Sequence, residues 1–388
     1  MTQNIQKHKV ALARASSYGD GEIYDALIRL FEQLGGIESH IKNGSRVFVK
    51  VNLVRDMKPE KCGTTHPAVV KALCLLLKEK CGAFVTVGDS SGGPYTKVFM
   101  ESCYRITQMK DACDQSGAAL NDDYGYSLED IGGKVLKRVE IISAFLKADA
   151  VINVGKLKTH GFTGYTGCVK NLYGLIPGRI KAETHGKFPH LYDFTDCIID
   201  LERYARKRVK LHLLDAVIGM EGKGPTNGQP RFMGFLTASK SAYAADIAGV
   251  SLFDDPYTMP VIKRAVERGI IEKDALDVDC DFDLLKQNFI PDFDKVRVVY
   301  KNITGMPKWL SALTKKLTTQ KAVIDGSKCK SCGRCIDHCP QKTISKDKEG
   351  KAKITQSNCI RCYCCQELCP FDAVILKKPF THRFIKRK

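Results

Sequence analysis

Cys329, Cys332, Cys335, Cys339 and Pro340 recur thirty positions on as Cys359, Cys362, Cys365, Cys369 and Pro370. Each half reads C-x2-C-x2-C-x3-C-P, and no other feature of the chain constrains its fold so tightly. Two-residue gaps let three thiolates converge on one iron–sulfur cubane, while the fourth cysteine, three residues further, turns away to the other cluster. The spacing therefore predicts two 4Fe-4S clusters, one on Cys329, Cys332, Cys335 and Cys369, the other on Cys359, Cys362, Cys365 and Cys339. Zinc also uses C-x2-C pairs, but eight thiolates in two proline-closed copies favour iron. Between the motifs, Thr343 to Ile354 reads as a β-hairpin around Lys348-Glu-Gly350, with Val323-Ile324 and Val374–Leu376 as an outer pair. Cys364, a ninth cysteine, is expected to pack beside a cluster rather than ligate it. His338 is expected at the surface.

Nine of the 17 cysteines lie between Cys329 and Cys369, and the remaining eight form no C-x2-C pair. This divides the chain into an α/β domain at 1–307, a connector at 308–321, the cysteine module at 322–376 and a basic tail at 377–388. Cysteine used this way, behind a polar start without a signal segment, argues for the reducing cytoplasm. No run approaches the ~18 apolar residues of a membrane span, so no membrane insertion is expected. The net charge is +18, and residues from 317 onward hold 16 Lys and Arg against 6 Asp and Glu. Clusters with four thiolates each would offset part of that excess. The basic tail could also dock an acidic redox partner. Nucleic acid is suggested by charge alone, with no recognition motif to support it.

Over the first 307 residues, apolar alternation and amphipathic stretches succeed one another. Strands are expected at Val10–Ala13, Val47–Leu53, Ala83–Val87, Ala150–Val154, Val209–Leu214 and Phe232–Leu236. Helices are expected near 20–34, 66–77 (capped by Thr64 or Thr65, with Pro67 in the first turn) and 242–252. The pattern predicts a mostly parallel sheet with helices on both faces; residues 322–376 resemble a bacterial two-cluster 4Fe-4S ferredoxin, which implies a small α+β ferredoxin-like domain. In such sheets ligands gather beyond the carboxyl ends of strands. Lys50, Asn52, Asp89, Ser90, Asn153, Lys156, Lys158, His160, Lys170, Asn171 and Glu221 fall at or after those ends. Lysine, histidine and asparagine together make a pocket suited to a carboxylate or phosphate.

Other motifs fail on context. Gly88-Asp-Ser90-Ser-Gly92 has the spacing of a nucleophile elbow, but Gly93-Pro94 follow where a helix must begin. Gly222–Gly228 lacks the G-K-[ST] ending of a phosphate loop, and no G-x-G-x-x-G follows a strand. His160, His185 and His190 have no partner ligand at diagnostic spacing.

The ordered motifs Lys50-Val-Asn-Leu-Val, Thr64-Thr-His-Pro, Gly88-Asp-Ser-x-Gly, Asn153-x-x-Lys-x-Lys-Thr-His, Thr166-x-x-x-Lys-Asn-Leu-x-Gly and Gly219-Met-Glu-Gly-x-Gly-Pro resemble the family of domain of unknown function 362. That family is often fused to a two-cluster ferredoxin. The resemblance spans roughly residues 8–255. It implies an α/β domain in a prokaryotic iron–sulfur protein, typically of an anaerobe, with no settled substrate. Cys168 stands inside one motif where a small apolar residue is expected, as a reactive or a merely buried thiol.

Two functions follow. In an oxidoreductase, the clusters would feed electrons to an anionic substrate or cofactor, with His160 or His66 as proton donor and Lys156, Lys158 and Lys170 clamping charge. In an electron carrier or redox sensor, the α/β part would only dock partners. No motif identifies a flavin or other organic cofactor. Anaerobically reconstituted protein is expected to carry about eight irons with matching labile sulfide; iron and sulfide analysis that finds zinc instead would overturn the reading.

Overall fold

In a computed structural model the described residues are 8–272, 278–296, 298 and 319–377. Most of the expected connector, and the basic tail after Lys377, lie outside them. The first domain contains β1 (His8–Arg14), β2 (Arg46–Lys50), β3 (Phe84–Gly88), β4 (Ala119–Leu120), β5 (Tyr126–Asp130), β6 (Arg138–Ile142), β7 (Ala150–His160), β8 (Gly164–Thr166), β9 (Val209–Glu221), β10 (Gln229–Ser239) and β11 (Val278–Asp279). All but the β5–β6 pair join one sheet, in the order β11-β1-β10-β9-β7-β2-β3-β4, with β8 paired to β7. The stretch β4-β3-β2-β7-β9 is parallel throughout. β10 opposes it, running antiparallel to both β9 and β1, and so does the short β8, antiparallel to β7.

Alternation along the strands assigns each side chain to a face. Val47 and Val49 pack under one layer with the helices Asp20–Glu32 and Pro67–Cys81. Phe48, between them, points to the opposite layer, with the helices Leu191–Ala205 and Ala242–Val250. The sheet thus has helices on both faces, as its sequence predicts. Helix Pro67–Cys81 begins at its proline, but its cap is His66, whose Nδ1 accepts from Ala68 N at 3.2 Å. Thr65, one of the expected caps, ties strands instead: it accepts from Asn52 N at 2.9 Å and donates to Val154 O at 3.0 Å.

The chain grows outward from β2 to β3 and β4, then returns on the other side of β2 with β7 and β9. The connections therefore diverge between β2 and β7, where a crevice opens at the carboxyl ends. β7 does not stop at Val154. It runs on to His160, buried at all eleven positions, and its end pairs Lys158 with Thr166 and His160 with Gly164 of β8. This extension stays paired with β9 through Lys158 and brings that lysine to the crevice.

In the C-terminal module β12 (Lys321–Ile324) pairs antiparallel with β15 (Val374–Lys377), and β13 (Ile344–Lys346) with β14 (Ala352–Ile354). The thirty-residue repeat is written in the backbone as well. Left-handed φ values of 57° and 56° occur at Ser331 and Arg361, 80° and 66° at Gly333 and Tyr363, and 50° at both Lys342 and Asp372. Such reversals turn amides toward the centre of a loop, which suits an anionic group held there. The core of the second face continues without interruption into this module through Ala322, Ile344 and Val374. Arg334 clasps Asp56 with contacts of 2.8 and 3.0 Å, and Arg55 reaches Asp372 at 3.3 Å. Among the described residues no helix is long and apolar enough to cross a membrane.

One buried carboxylate sets the loop that follows β8. Asp246 accepts from Cys168 N at 2.5 Å, Val169 N at 3.1 Å and Tyr165 OH at 2.9 Å. Asp246→Ala is expected to strand three buried donors and cost roughly 3 kcal/mol or more, read as a lowered denaturation midpoint at unchanged slope.

Candidate functional site

At the divergence of β2 and β7 lies a cavity of about 90 Å³. Of the residues expected there, Asn52, Asp89, Ser90, Lys158, Lys170 and Asn171 line it. Lys181, His185, Thr166 and Tyr173 join them, and the roof is Cys364, Glu367 and Leu368 of the cysteine module.

The floor is a chain of amides. Lys158 Nζ donates to Asn52 Oδ1 at 2.8 Å, Asn52 Nδ2 to Asn171 Oδ1 at 2.9 Å, and Asn171 Nδ2 to Asn153 Oδ1 at 2.8 Å. Asn153 Nδ2 then reaches Cys168 O at 2.9 Å and His212 Nδ1 at 3.0 Å. Each amide is fully engaged, so Asn153 and Asn171 set positions rather than offer free groups. Lys50 lies beneath the floor, with its Nζ 2.6 Å from Asp89 Oδ1.

The lysines facing the cavity are poorly compensated. Lys158 also donates to Gly63 O, so both its partners are neutral oxygens. Burial, then repulsion by Lys170, pushes its pKa well down. Lys181 donates only to the carbonyls of Ser90 and Ser91, and burial lowers its pKa to about 7. Lys170, lowered by burial, has no hydrogen-bond or ion-pair partner among the described residues.

The histidines are neutral near pH 7. His160 Nδ1 accepts from Phe162 N at 3.1 Å, which leaves the ring hydrogen on Nε2, 3.1 Å from Glu367 Oε1. Burial, then the nearby Lys170, lowers its pKa to about 4. Glu367 is held as a carboxylate: burial opposes its charge, but His160 and Lys170 outweigh it. His185, brought down to about 3 by burial, stacks on Phe194 at 4.1 Å and leaves Nδ1 without a partner. The hydroxyl of Thr166 is likewise unpartnered.

The remaining expected residues lie elsewhere. Lys156 joins Asp215 at 2.9 Å and Tyr18 OH at 2.7 Å, and the Tyr18 ring stacks on His66 at 3.6 Å. This is a separate, tightly paired cluster. Glu221 accepts from Asp294 N at the far end of β9. Ser90 does line the cavity, but its Oγ donates to Ile176 O and accepts from Gly178 N, so its hydroxyl anchors the next segment. Cys168 is wholly buried and donates to Leu213 O at 3.5 Å. His190 is exposed, and among the described residues no three His, Cys, Asp or Glu side chains meet where a single metal ion would sit. His338 is buried rather than at the surface, with Nδ1 3.0 Å from Arg334 O.

Two further cavities occupy the cysteine module. Cys329, Cys332, Cys335 and Cys369 line one; Cys339, Cys359, Cys362 and Cys365 line the other, together with Cys364. Thr343 N donates to Cys339 Sγ and Ala373 N to Cys369 Sγ, both at 3.3 Å. A grouping of four sulfurs with backbone donors fits an iron–sulfur cubane. Cys364 and the cavity of the α/β domain adjoin, since Cys364 lines both.

The sequence pattern of the domain of unknown function (DUF362) matches residues 47–251, over half of the chain. The chain belongs to the DUF362 family. Residues 321–370 match a 4Fe-4S dicluster domain, so this member carries a ferredoxin-like iron–sulfur module behind its DUF362 domain. It is 30% identical over 271 residues to a thylakoid-associated protein of Synechocystis, covering 67% of this chain and 79% of that one. A pyruvate synthase subunit of Methanocaldococcus jannaschii is 34% identical over 56 residues, 14% of this chain and 65% of the subunit. Among solved structures, the lactate racemase apoprotein of Thermoanaerobacterium thermosaccharolyticum superposes with a TM-score of 0.42 at 14% identity, over 63% of this chain and 55% of that one.

Spacing of four on the helix Gly178–Lys187 puts Lys181 and His185 on one face, and that signal was available in the sequence. Glu367 and Leu368 had none, because only docking of the module brings them to the crevice. Lys181 also yields a pH test for the DUF362 domain. Its folded pKa lies below that of an unfolded lysine, so the native state sheds a proton that the unfolded chain keeps between pH about 7 and 10.5. Stability is therefore expected to rise with pH across that window relative to Lys181→Met, measured as the difference in unfolding midpoint; parallel profiles would refute the assignment.

Proposed function

We propose that this DUF362 protein is a cytoplasmic iron–sulfur oxidoreductase whose cavity binds an anionic substrate or cofactor. In this reading Cys329, Cys332, Cys335 and Cys369 hold one 4Fe-4S cluster, and Cys359, Cys362, Cys365 and Cys339 hold the second. The clusters, when bound, supply single electrons. The observation that carries the proposal is shared lining: Cys364 and Glu367, beside the second set of cysteines, face the same cavity as Lys158 and Lys170. A docking scaffold has no use for under-compensated lysines next to a cluster cage, because burying them costs stability. An anion-binding redox site does.

The residues divide the work. Lys158 and Lys170 bind the anion and oppose negative charge as it develops. The chain Asn52–Asn171–Asn153 fixes the base of Lys158. His160 Nε2 lies 3.1 Å from Glu367 Oε1, near enough for a proton to pass between imidazole and roof once the two groups align. His66, expected as an alternative donor, sits outside the cavity against Tyr18. A redox partner protein would deliver electrons to the outer cysteine set, where Cys332 is exposed.

The test uses anaerobically reconstituted full-length protein, reduced with dithionite and freed of excess reductant. Small organic acids and oxoanions are then added singly, and the return of visible cluster absorbance is followed. At least one is expected to reoxidise the wild type. Lys170→Ala is expected to keep its iron but to slow the reaction roughly a hundredfold or more. Reoxidation at the wild-type rate in the variant would remove Lys170 from its role, and indifference to every anion would favour a plain carrier.

A further inference from the structure

We infer that the cavity is a receptor for a short-chain dicarboxylate, a molecule of succinate size with a carboxylate at each end. The inference rests on the anion-binding reading above and sharpens it in charge, donor type and size.

Charge comes first. Three lysines face the cavity, with a fourth, Lys50, directly behind it; the carboxylates are Asp89 and Glu367. Asp89 is committed to Lys50 at 2.6 Å, and Glu367 stands 3.1 Å from His160. Four potential cations against two anions leave an excess of two. Lys158 and Lys181 hold only neutral oxygens, and Lys170 has no partner among the described residues. A dianion favours protonation of two of these amines and pairs with both, whereas a monoanion pairs with one.

Donor type separates carboxylate from phosphate. Phosphate sites characteristically offer free backbone N–H groups from a glycine-rich turn or a helix start. Here several of the lining amides are already spent. Leu53 N and Ser90 N both donate to Asp89 at 2.7 Å, Gly92 N donates to Val54 O at 3.0 Å, and Asn171 N to Gly167 O at 3.0 Å. The side chains offer ammonium groups, the hydroxyl of Thr166 and Nδ1 of His185. These are separate point contacts, suited to two small carboxylates at different places.

Size closes the choice. The enclosed space is small, about 90 Å³, and a short dicarboxylate has few atoms to place in it, whereas a nucleotide or a whole flavin has several times as many. Leu53, Tyr173, Pro225 and Leu368 supply an apolar wall for the methylene stretch between the two ends.

The experiment is isothermal titration calorimetry of reconstituted full-length protein under nitrogen, with succinate, acetate, phosphate and AMP as the probes. Succinate is expected to bind once per chain, roughly tenfold or more tighter than acetate or phosphate, with no saturable AMP binding. Lys158→Met and Lys170→Met are each expected to weaken succinate roughly tenfold or more, and Lys170→Met, which breaks no hydrogen bond among the described residues, is expected to raise the thermal midpoint of the ligand-free protein. That rise separates an uncompensated binding group from a structural one, whose loss lowers the midpoint. Phosphate or AMP binding tighter than succinate, or acetate matching it, overturns the dicarboxylate while leaving an anion site intact. Failure of all four probes to bind overturns both this inference and the reading beneath it.

Discussion

An ammonium taken out of water needs a counter-charge or several good acceptors, and the crevice between β2 and β7 is organised by that demand. Lys50 and Lys156 receive carboxylates, Asp89 and Asp215. Lys158 receives a carboxamide, and because a carboxamide needs its own partners, Asn52 requires Asn171 and Asn171 requires Asn153. The relay then ends on His212 and the Cys168 carbonyl, which ties the loop after β8 to the middle of the sheet. Taking one member away would leave buried groups unpaired along the whole line. The motif residues of the α/β domain are thus bound into one network, in which the half-satisfied lysines are the part left over for a ligand.

Electrostatics in the cavity follow from the same geometry. The imidazoles are forced neutral by burial, so positive potential there resides on amines. The pairing of His160 with Glu367 crosses from one domain to the other. So do the clasp of Arg334 on Asp56 and the contact of Gln366 Nε2 with Lys223 O at 3.1 Å. Electron-transfer module and cavity are therefore held in fixed register by contacts of three different kinds.

Much of this was legible before any coordinates. The cysteine repeat gave its own pairing of sulfurs, and the two cavities collect the same two sets. Strict alternation in Val47-Phe-Val49 announced a strand covered on both sides. The errors have physical reasons. The sequence predicts a strand end at Val154 because Lys156 and Lys158 read as polar loop residues, yet Lys156 is buried against Tyr18 and Asp215 and Lys158 against Asn52 and Gly63. His66 and Lys156 share motifs with the cavity residues, but the pairing of β7 with β9 is irregular there, β9 advancing from Asp215 to Met220 while β7 advances from Lys156 to Lys158, and the two lysines belong to different clusters. Glu367 and Leu368 sit in a motif that reads only as ferredoxin, and a chain cannot advertise in one dimension which surface its second domain will cover.

Glu367 and Leu368 stand between Cys365, which faces one sulfur-lined cage, and Cys369, which faces the other. The backbone that ceils the lysine chamber is therefore the same few peptide units that bridge the two cages. Only three residues separate the two cysteines, so the ceiling has little slack to move independently of either cage.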